Sequence, residues 1–316
     1  MKAVLLSEFG GIENLKIADI PAPDPKEDEV VLRVEAFGIN PVDAKARQGK
    51  AFAAKLKNVN FPVILGKDVA GTVVKKGENV NHFEIGDRVY GVANNDSGFG
   101  NTYAEYTHST TESLFKIPKN ISSEVAASSP IAALTALQAL REKVELKKEH
   151  TILIHAGAGG VGHFAIQYAK YVGAHVTASS SMANKEFILN TLGADAHIDY
   201  KTVNYDAYEN AFDVVLDLVG LDNIDNAIKT TKPGGDVICV PSNSFDVFRE
   251  KVTKKNVNGH TLLMHPDNEW LCYLANMLKK GILVPHISQK AALFEIKEVH
   301  KQIESGSTKG KIVVVP

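Results

Sequence analysis

The sequence predicts an α/β protein of two domains, a β-rich module followed by a doubly wound parallel sheet. Three observations carry this. The chain has 316 residues, more than one average domain holds. Residues 1–120 or so read as short strands joined by turns, whereas strands and helices alternate from residue 151 onward. At the head of that alternation stands TILIHAGAGGVG, residues 151–162: an apolar run, then glycines at 157, 159 and 162, then a helix-compatible run through Val161, Phe164, Ala165, Tyr168 and Ala169. Strand, glycine turn and helix is the context in which G-x-G-x-x-G binds a dinucleotide. The first glycine allows a tight turn, the second lets backbone approach a pyrophosphate, and the third lets the helix pack on its strand. Gly157, Ala158, Gly159, Gly160, Val161 and Gly162 are therefore the expected phosphate cradle, with helix N–H groups and dipole facing the negative charge.

The elements follow in order. Residues 2–6 and 15–20 read as strands around Gly10-Gly11, and PAPDPKEDE is an acidic, proline-rich surface loop. Residues 30–39 alternate as an antiparallel strand does. Asn40 then offers an N-cap and Pro41 an N1 proline for a short helix stopping at Gly49. KDVAGTVVKKG, GDRVYGV and YAEYTHST supply further strands. From residue 121 the chain turns helical, with a break at Pro130. Strands at 151–155, 174–178, 195–199, 213–218 and 235–240 alternate with helices near 161–172, 183–192, 206–210 and 222–231, which implies right-handed crossovers. Helices near 267–280 and 291–304 precede a last strand, KIVVVP, with no βαβ partner after it. That strand could return to the first domain. The expected division is 1–122 together with about 266–316, and 123–265.

Composition narrows the class. The chain is 44% hydrophobic and 23% charged with a formal net charge of -2, which argues against nucleic acid or an anionic membrane as a bulk electrostatic partner. Two cysteines, Cys239 and Cys272, allow one disulfide at most and fit a reducing, cytoplasmic setting. The N-terminal run meets Glu8 and Glu13 early and lacks a signal-peptide core. No apolar run approaches the ~18 residues that a membrane span needs.

Taken in order, MKAVLLSEFGG, GINPVDAKARQG, PVILGKDVAGTV, GDRVYG, IPKNISSEVAASSPIAALTAL, HAGAGGVG, LGADAHIDY, DVVLDLVG and KGKIVVV resemble the medium-chain dehydrogenase/reductase superfamily, specifically its zinc-independent quinone oxidoreductase branch. The resemblance covers essentially the whole chain. It implies a chaperonin-10-like β-rich domain on the substrate side, a Rossmann domain for the cofactor, and a cleft holding both ligands.

The second strand of the alternation discriminates between cofactors. An acid about 20 residues past the first glycine would grip the ribose 2′-hydroxyl of NAD. Ser179, Ser180 and Ser181 stand there instead, with no carboxylate until Glu186 and with Lys185 at the next helix start. Hydroxyls and a cation suit a 2′-phosphate, so NADPH is the expected cofactor. The resemblance places Lys185 and Tyr200 at that phosphate. It places Thr135 and Val219-Gly220 along the nicotinamide end, and Lys311 as a further cofactor contact.

A catalytic zinc needs three protein ligands. Asn40 stands where zinc members of the superfamily carry a cysteine, and Lys67-Asp68 where they carry a His–Glu pair. Residues 90–115 hold no cysteine for a structural zinc, so no metal is expected. Without a Lewis acid, quinones and conjugated enones are the natural acceptors, because their own conjugation spreads the charge that hydride delivers. Asn40 and Asp43 are the polar candidates for catalysis; each also reads as ordinary helix-start chemistry, an N-cap and a first-turn acid. Many relatives carry a tyrosine after this helix; here Phe52 and Phe61 stand in that region, as pocket lining or as core. The expected function is an NADPH-dependent reductase of quinones or α,β-unsaturated carbonyls. The alternatives are an enoyl-thioester reductase, and an NADPH sensor or RNA-binding protein with little activity. A homodimer is expected by resemblance and by the prevalence of C2 pairs.

Overall fold

A computed structural model describes residues 1–51, 53, 56 and 58–316. It divides into two compact units, Met1–Leu134 with Pro266–Pro316, and Thr135–His265.

The first unit opens with β1 (Lys2–Leu6), β2 (Leu15–Asp19), β3 (Glu29–Ile39) and α1 (Pro41–Arg47). β4 (Val63–Ile64), β5 (Asp68–Lys76), β6 (Arg88–Val92), β7 (Tyr106–Thr110) and β8 (Leu114–Lys116) follow, then α2 (Ser123–Ala127) and α3 (Pro130–Leu137). The division between the units falls inside α3. The second unit contains β9 (Thr151–Ile154), α4 (Gly160–Val172), β10 (His175–Ser180), β11 (Ala196–Asp199), β12 (Phe212–Asp217), α5 (Ile224–Thr230), β13 (Thr231–Cys239), α6 (Phe245–Val252) and β14 (Asn258–Thr261). The chain then supplies α7 (Asn268–Lys279), β15 (Ile287–Ala292), α8 (Ile296–Glu304) and β16 (Lys311–Val315) to the first unit.

The first unit holds a three-stranded sheet, β2-β1-β4, and a larger sheet ordered β15-β16-β3-β5-β6-β8, with β7 also on β3. The long strand β3 is its spine; the alternation expected over 30–39 is not kept, because only Arg33 is exposed and its apolar residues are buried on both faces. The orphan last strand finds its partner here: β16 runs antiparallel to β3, with Ile312 opposite Ile39. Phe37, Tyr103, Val69, Leu65 and Val314 lie in the core that these sheets enclose.

The second unit is a six-stranded sheet ordered β11-β10-β9-β12-β13-β14, parallel at every pair. In the unit's own count this is 3-2-1-4-5-6, the doubly wound order, whose reversal falls between β9 and β12. Ligands of such sheets bind beyond the carboxyl ends of the strands at that reversal.

Several elements depart from the sequence reading. β14 and α6 are additional. The helix expected over 291–304 starts only at Ile296, because Ala291 and Ala292 pair with Val314 and Val315 in β15–β16. The stretch 183–192 divides into a tight 3-10 turn (Met182–Asn184) and a wider π-helical turn (Phe187–Thr191), and 206–210 forms a tight 3-10 turn (Tyr205–Tyr208), rather than regular α-helices. Among the described residues no helix is long and apolar enough to cross a membrane. Both cysteines carry free thiols.

Candidate functional site

The glycine loop follows β9 at the sheet's reversal. Its left-handed residue is Ala156, at φ 52, and not Gly157. Gly157 is required for space: a Cβ there would meet Ala178 Cβ at 2.8 Å and Ile166 Cδ1 at 3.1 Å. The first glycine therefore serves packing against β10 instead of the turn dihedral assigned to it from sequence. At Gly162 a Cβ would strike Ala156 O at 2.4 Å and Gly157 Cα at 2.7 Å, so α4 closes onto the turn only through glycine. Gly159 is different. It is the N-cap of α4, in ordinary extended geometry, with no side-chain cap, and a Cβ would meet only Ala156 O at 3.3 Å. Backbone at the mouth of a 13-residue helix is thus left open toward its positive dipole end, the cradle that a pyrophosphate requires. Ala158 is buried, and Gly160 and Val161 form the partly exposed first turn.

The neighbouring strand ends hold the proposed 2′-phosphate residues. Ser179 is buried and bonds His155 Nδ1 at 3.0 Å, while its carbonyl accepts the Gly157 N–H at 2.8 Å. The Ser180 hydroxyl donates to Ser181 O and faces His197 Nε2 at 2.9 Å. Both hydroxyls are thereby engaged inside the unit. Ser181 lies nearer solvent, where its Oγ accepts from Asn184 Nδ2 at 3.3 Å. Lys185 is exposed and close enough to His197 for its charge, after burial, to lower that imidazole's pKa. Tyr200 follows β11, its N–H on Ser180 O and its side chain 57% exposed. The acid on β11, Asp199, accepts from the Lys201 N–H. Ser181, Lys185 and Tyr200 thus gather at one edge; His197 and Asn184 join them, unmarked by any local sequence signal.

On the other side of the reversal, β12 ends at Asp217, which is buried. Its carboxylate accepts the N–H groups of Val219 at 3.0 Å and Gly220 at 3.2 Å, and Asn223 Nδ2 at 3.1 Å. Burial raises its pKa and these donors oppose the rise. Gly220, at φ 88, has no room for a side chain, since a Cβ would lie 2.3 Å from Ser244 Oγ. The result is a fixed loop presenting Val219, half exposed, at the carboxyl end of the sheet. Thr135 is buried on α3.

In the first unit, Asn40 is the N-cap of α1, yet its side chain does not cap. Asn40 Nδ2 donates to Asp68 Oδ2 at 2.8 Å, and Asn40 Oδ1 accepts Lys311 Nζ at 2.5 Å. Because Lys donates only, this pair of contacts fixes which end of the amide faces which partner. The helix start is closed instead by Asp43, whose Oδ2 accepts the Asn40 N–H at 2.8 Å. Lys311 also donates to Ile39 O at 3.1 Å and lies 3.5 Å from Asp68. Asp68 completes its set with the Ile131 N–H at 2.9 Å. Asn40, Asp43, Asp68 and Lys311 are all nearly inaccessible. Burial drives the carboxyl of Asp43 up to about 7 against the Asn40 N–H, that of Asp68 upward against Lys311, and the ammonium of Lys311 downward against both acids. Lys311, expected from resemblance as a cofactor contact, belongs to this buried cluster. Asp68 is its centre, a role that the isolated acid in GKDVAG did not reveal.

Lys67 donates to Gly98 O at 2.7 Å. Among the described residues no group of three or more His, Cys, Asp or Glu side chains is placed to hold a metal ion. Phe61 stacks edge-on against Phe9 at 4.9 Å and packs on the core; Phe52 lies outside the described residues.

Residues 26–119 match the alcohol dehydrogenase GroES-like domain and residues 192–314 match the family described as zinc-binding dehydrogenase. The chloroplast envelope quinone oxidoreductase homolog of Arabidopsis thaliana is 34% identical over 97% of this chain and 95% of its own. The NADPH-dependent alkenal/one oxidoreductase, chloroplastic, of the same plant is 34% identical over 100% of this chain and 80% of its own. The quinone oxidoreductase structure from Coxiella burnetii superposes with a TM-score of 0.95 at 36% identity, covering 100% of this chain and 99% of that one. With its GroES-like domain, its doubly wound sheet and full-length relatives of this kind, the chain belongs to the quinone oxidoreductase branch of the medium-chain dehydrogenase/reductase superfamily.

Proposed function

We propose that this protein is an NADPH-dependent reductase that delivers a hydride to quinones or α,β-unsaturated carbonyls without a metal. The observation that carries the proposal is the open, glycine-built mouth of α4 at the sheet reversal, beside an edge that offers Ser181, Lys185 and Tyr200. NADPH, when bound, supplies the hydride. The phosphate bridge fits the N-terminal turn of α4, and the 2′-phosphate fits Lys185, the one cation of that edge set. The loop of Val219 and Gly220, fixed by Asp217, lines the nicotinamide side, with Thr135.

The acceptor side is assigned to Asn40. One hydrogen of its Nδ2 is held by Asp68; the other has no partner among the described residues, and we assign it to the acceptor oxygen as charge develops there. The Asp68 and Lys311 contacts hold that amide in one orientation, so the donor is aligned before the acceptor arrives. Asp43 acts on Asn40 through its backbone N–H. We further place the protein in the cytoplasm as a homodimer, a reading supported by two free cysteines and by β14 as an exposed sheet edge.

Steady-state assays with NADPH and NADH against a panel of quinones and enones, with and without a chelator, test the proposal. Turnover with NADPH that chelation leaves unchanged is expected. No turnover with any acceptor, or a higher kcat/KM with NADH, would overturn it.

A further inference from the structure

We propose that Tyr103 and His300 are positioning residues for the reductase, holding the Asn40 turn in place through the Asp43 carboxylate. The inference rests on the role given to Asn40 above. Neither residue is near Asn40 in sequence, and both are buried in the same unit.

The geometry is a directed chain of hydrogen bonds. The Asn40 N–H donates to Asp43 Oδ2, and the Tyr103 hydroxyl lies close enough to the same carboxylate to lower its pKa as a donor. His300 Nε2 lies 3.3 Å from Tyr103 Oη, while His300 Nδ1 has no partner among the described residues. Placing the proton on Nε2 leaves only a lone pair unsatisfied at Nδ1; the reverse would bury an N–H without an acceptor, the rarer arrangement. The chain therefore runs His300 Nε2–H to Tyr103 Oη–H to Asp43, with Asn40 N–H meeting it from the other side. Packing holds the phenol: its ring stacks on Phe37 at 4.9 Å and meets His300 edge-on at 5.8 Å. Both donors are directed at Asp43, and both interactions are strongest when Asp43 is ionised. A protonated Asp43 is a weaker acceptor for both, so the Asn40 turn is held less firmly.

The charged groups around Asp43 come from every element packed on it. They are Asp68 at the start of β5, Lys67 just before it and Lys311 on β16; beyond Tyr103 lie His300 on α8 and Arg47 on α1, the last paired with Glu304 at 2.7 Å. Burial, then Arg47, hold His300 neutral, its pKa down to about 3. Burial is what lifts Asp43 to about 7, so its titration falls where activity is measured. The sign follows. The carboxylate holds the turn more firmly than the neutral acid does, so kcat falls as pH drops through this value. Tyr103→Phe removes a donor that favours the carboxylate, which moves the inflection to higher pH.

The test uses the full chain. In the cofactor-free protein, the backbone amide resonance of Asn40 should titrate with a midpoint near neutrality, and in Tyr103→Phe that midpoint should rise by roughly half a pH unit or more. In turnover, Tyr103→Phe should lower kcat ~5-fold or more with KM for NADPH unchanged, as a mispositioned donor does. His300→Gln, which retains an N–H donor, should keep most of kcat, and His300→Leu should not. If Tyr103→Phe fails to fold, the two His300 variants carry the comparison. An Asn40 amide that does not titrate, or that titrates alike in wild type and variants, overturns the inference. The amide titration decides it whether or not any acceptor is reduced, so a failure of the functional reading is seen separately, in the turnover panel.

Discussion

Replacing Gly159 or Gly162 by alanine separates two roles that the glycine pattern merges. At Gly162 the added Cβ would lie 2.4 Å from Ala156 O, 2.7 Å from Gly157 Cα and 2.9 Å from Gly157 C. All three are backbone atoms, so no side chain can rotate away, and relief requires moving α4 off the turn. Overpacking of this kind costs ~1–3 kcal/mol, and backbone clashes put it at the upper end. For a chain of this size that is a loss of roughly 5–10 °C in Tm. At Gly159, φ -80 and ψ -176 suit alanine, and the nearest atom is Ala156 O at 3.3 Å. Lower unfolded-state entropy favours alanine by ~0.4–1 kcal/mol, and its poorer N-cap behaviour offsets about as much. Gly159→Ala should therefore melt within roughly 2 °C of wild type. Its Cβ would occupy the open approach to the helix mouth, so the Kd for NADPH should rise ~10-fold, or about 1.4 kcal/mol. Differential scanning fluorimetry without cofactor and a fluorescence titration with NADPH read both quantities. A Gly162→Ala protein with wild-type Tm, or a Gly159→Ala protein with wild-type Kd, would refute the assignment of space at this loop.

Further outcomes follow from other parts of the molecule. Lys311→Met leaves Asp68 buried with only Asn40 Nδ2 and the Ile131 N–H, which should cost ~3–5 kcal/mol in urea unfolding at pH 8. A raised Asp68 pKa favours folding only when the acid is protonated, so the loss should shrink at pH 5; an equal loss at both pH values would contradict it. Asp217→Ala strands the N–H groups of Val219 and Gly220, at ~1–3 kcal/mol, and should raise KM for NADPH through the loosened loop. Lys185→Ala should raise KM for NADPH ~10-fold while leaving that for NADH and the Tm nearly unchanged; equal effects on both cofactors would remove Lys185 from the 2′-phosphate.

Much of the second unit was legible because its signals are local. β9, Gly157 to Gly162 and α4 are contiguous, and period, glycine spacing and helix length are properties of neighbouring residues. β14 is the counterexample: Asn258–Thr261 is polar, and only pairing with β13 makes it a strand. β15 was hidden for a related reason, since Ala291 and Ala292 suit a helix until β16 lies beside them.

The candidate site divides in the same way. By itself the sequence determined the alternation of strands and helices, the glycine spacing after β9, the absence of an acid at Ser179–Ser181, and Asn40 and Asp43 as polar groups at a helix start. It could not say what those two side chains bond. Asn40 has the spacing of an N-cap, and only Asp68 and Lys311, 28 and 271 residues away, draw its amide from that role. Asp43 reads as a solvated first-turn acid, and only the surrounding core makes it a buried one with a pKa about 7. A hydrogen-bond partner and a desolvation penalty depend on what is near in space, and chain separation carries no information about that.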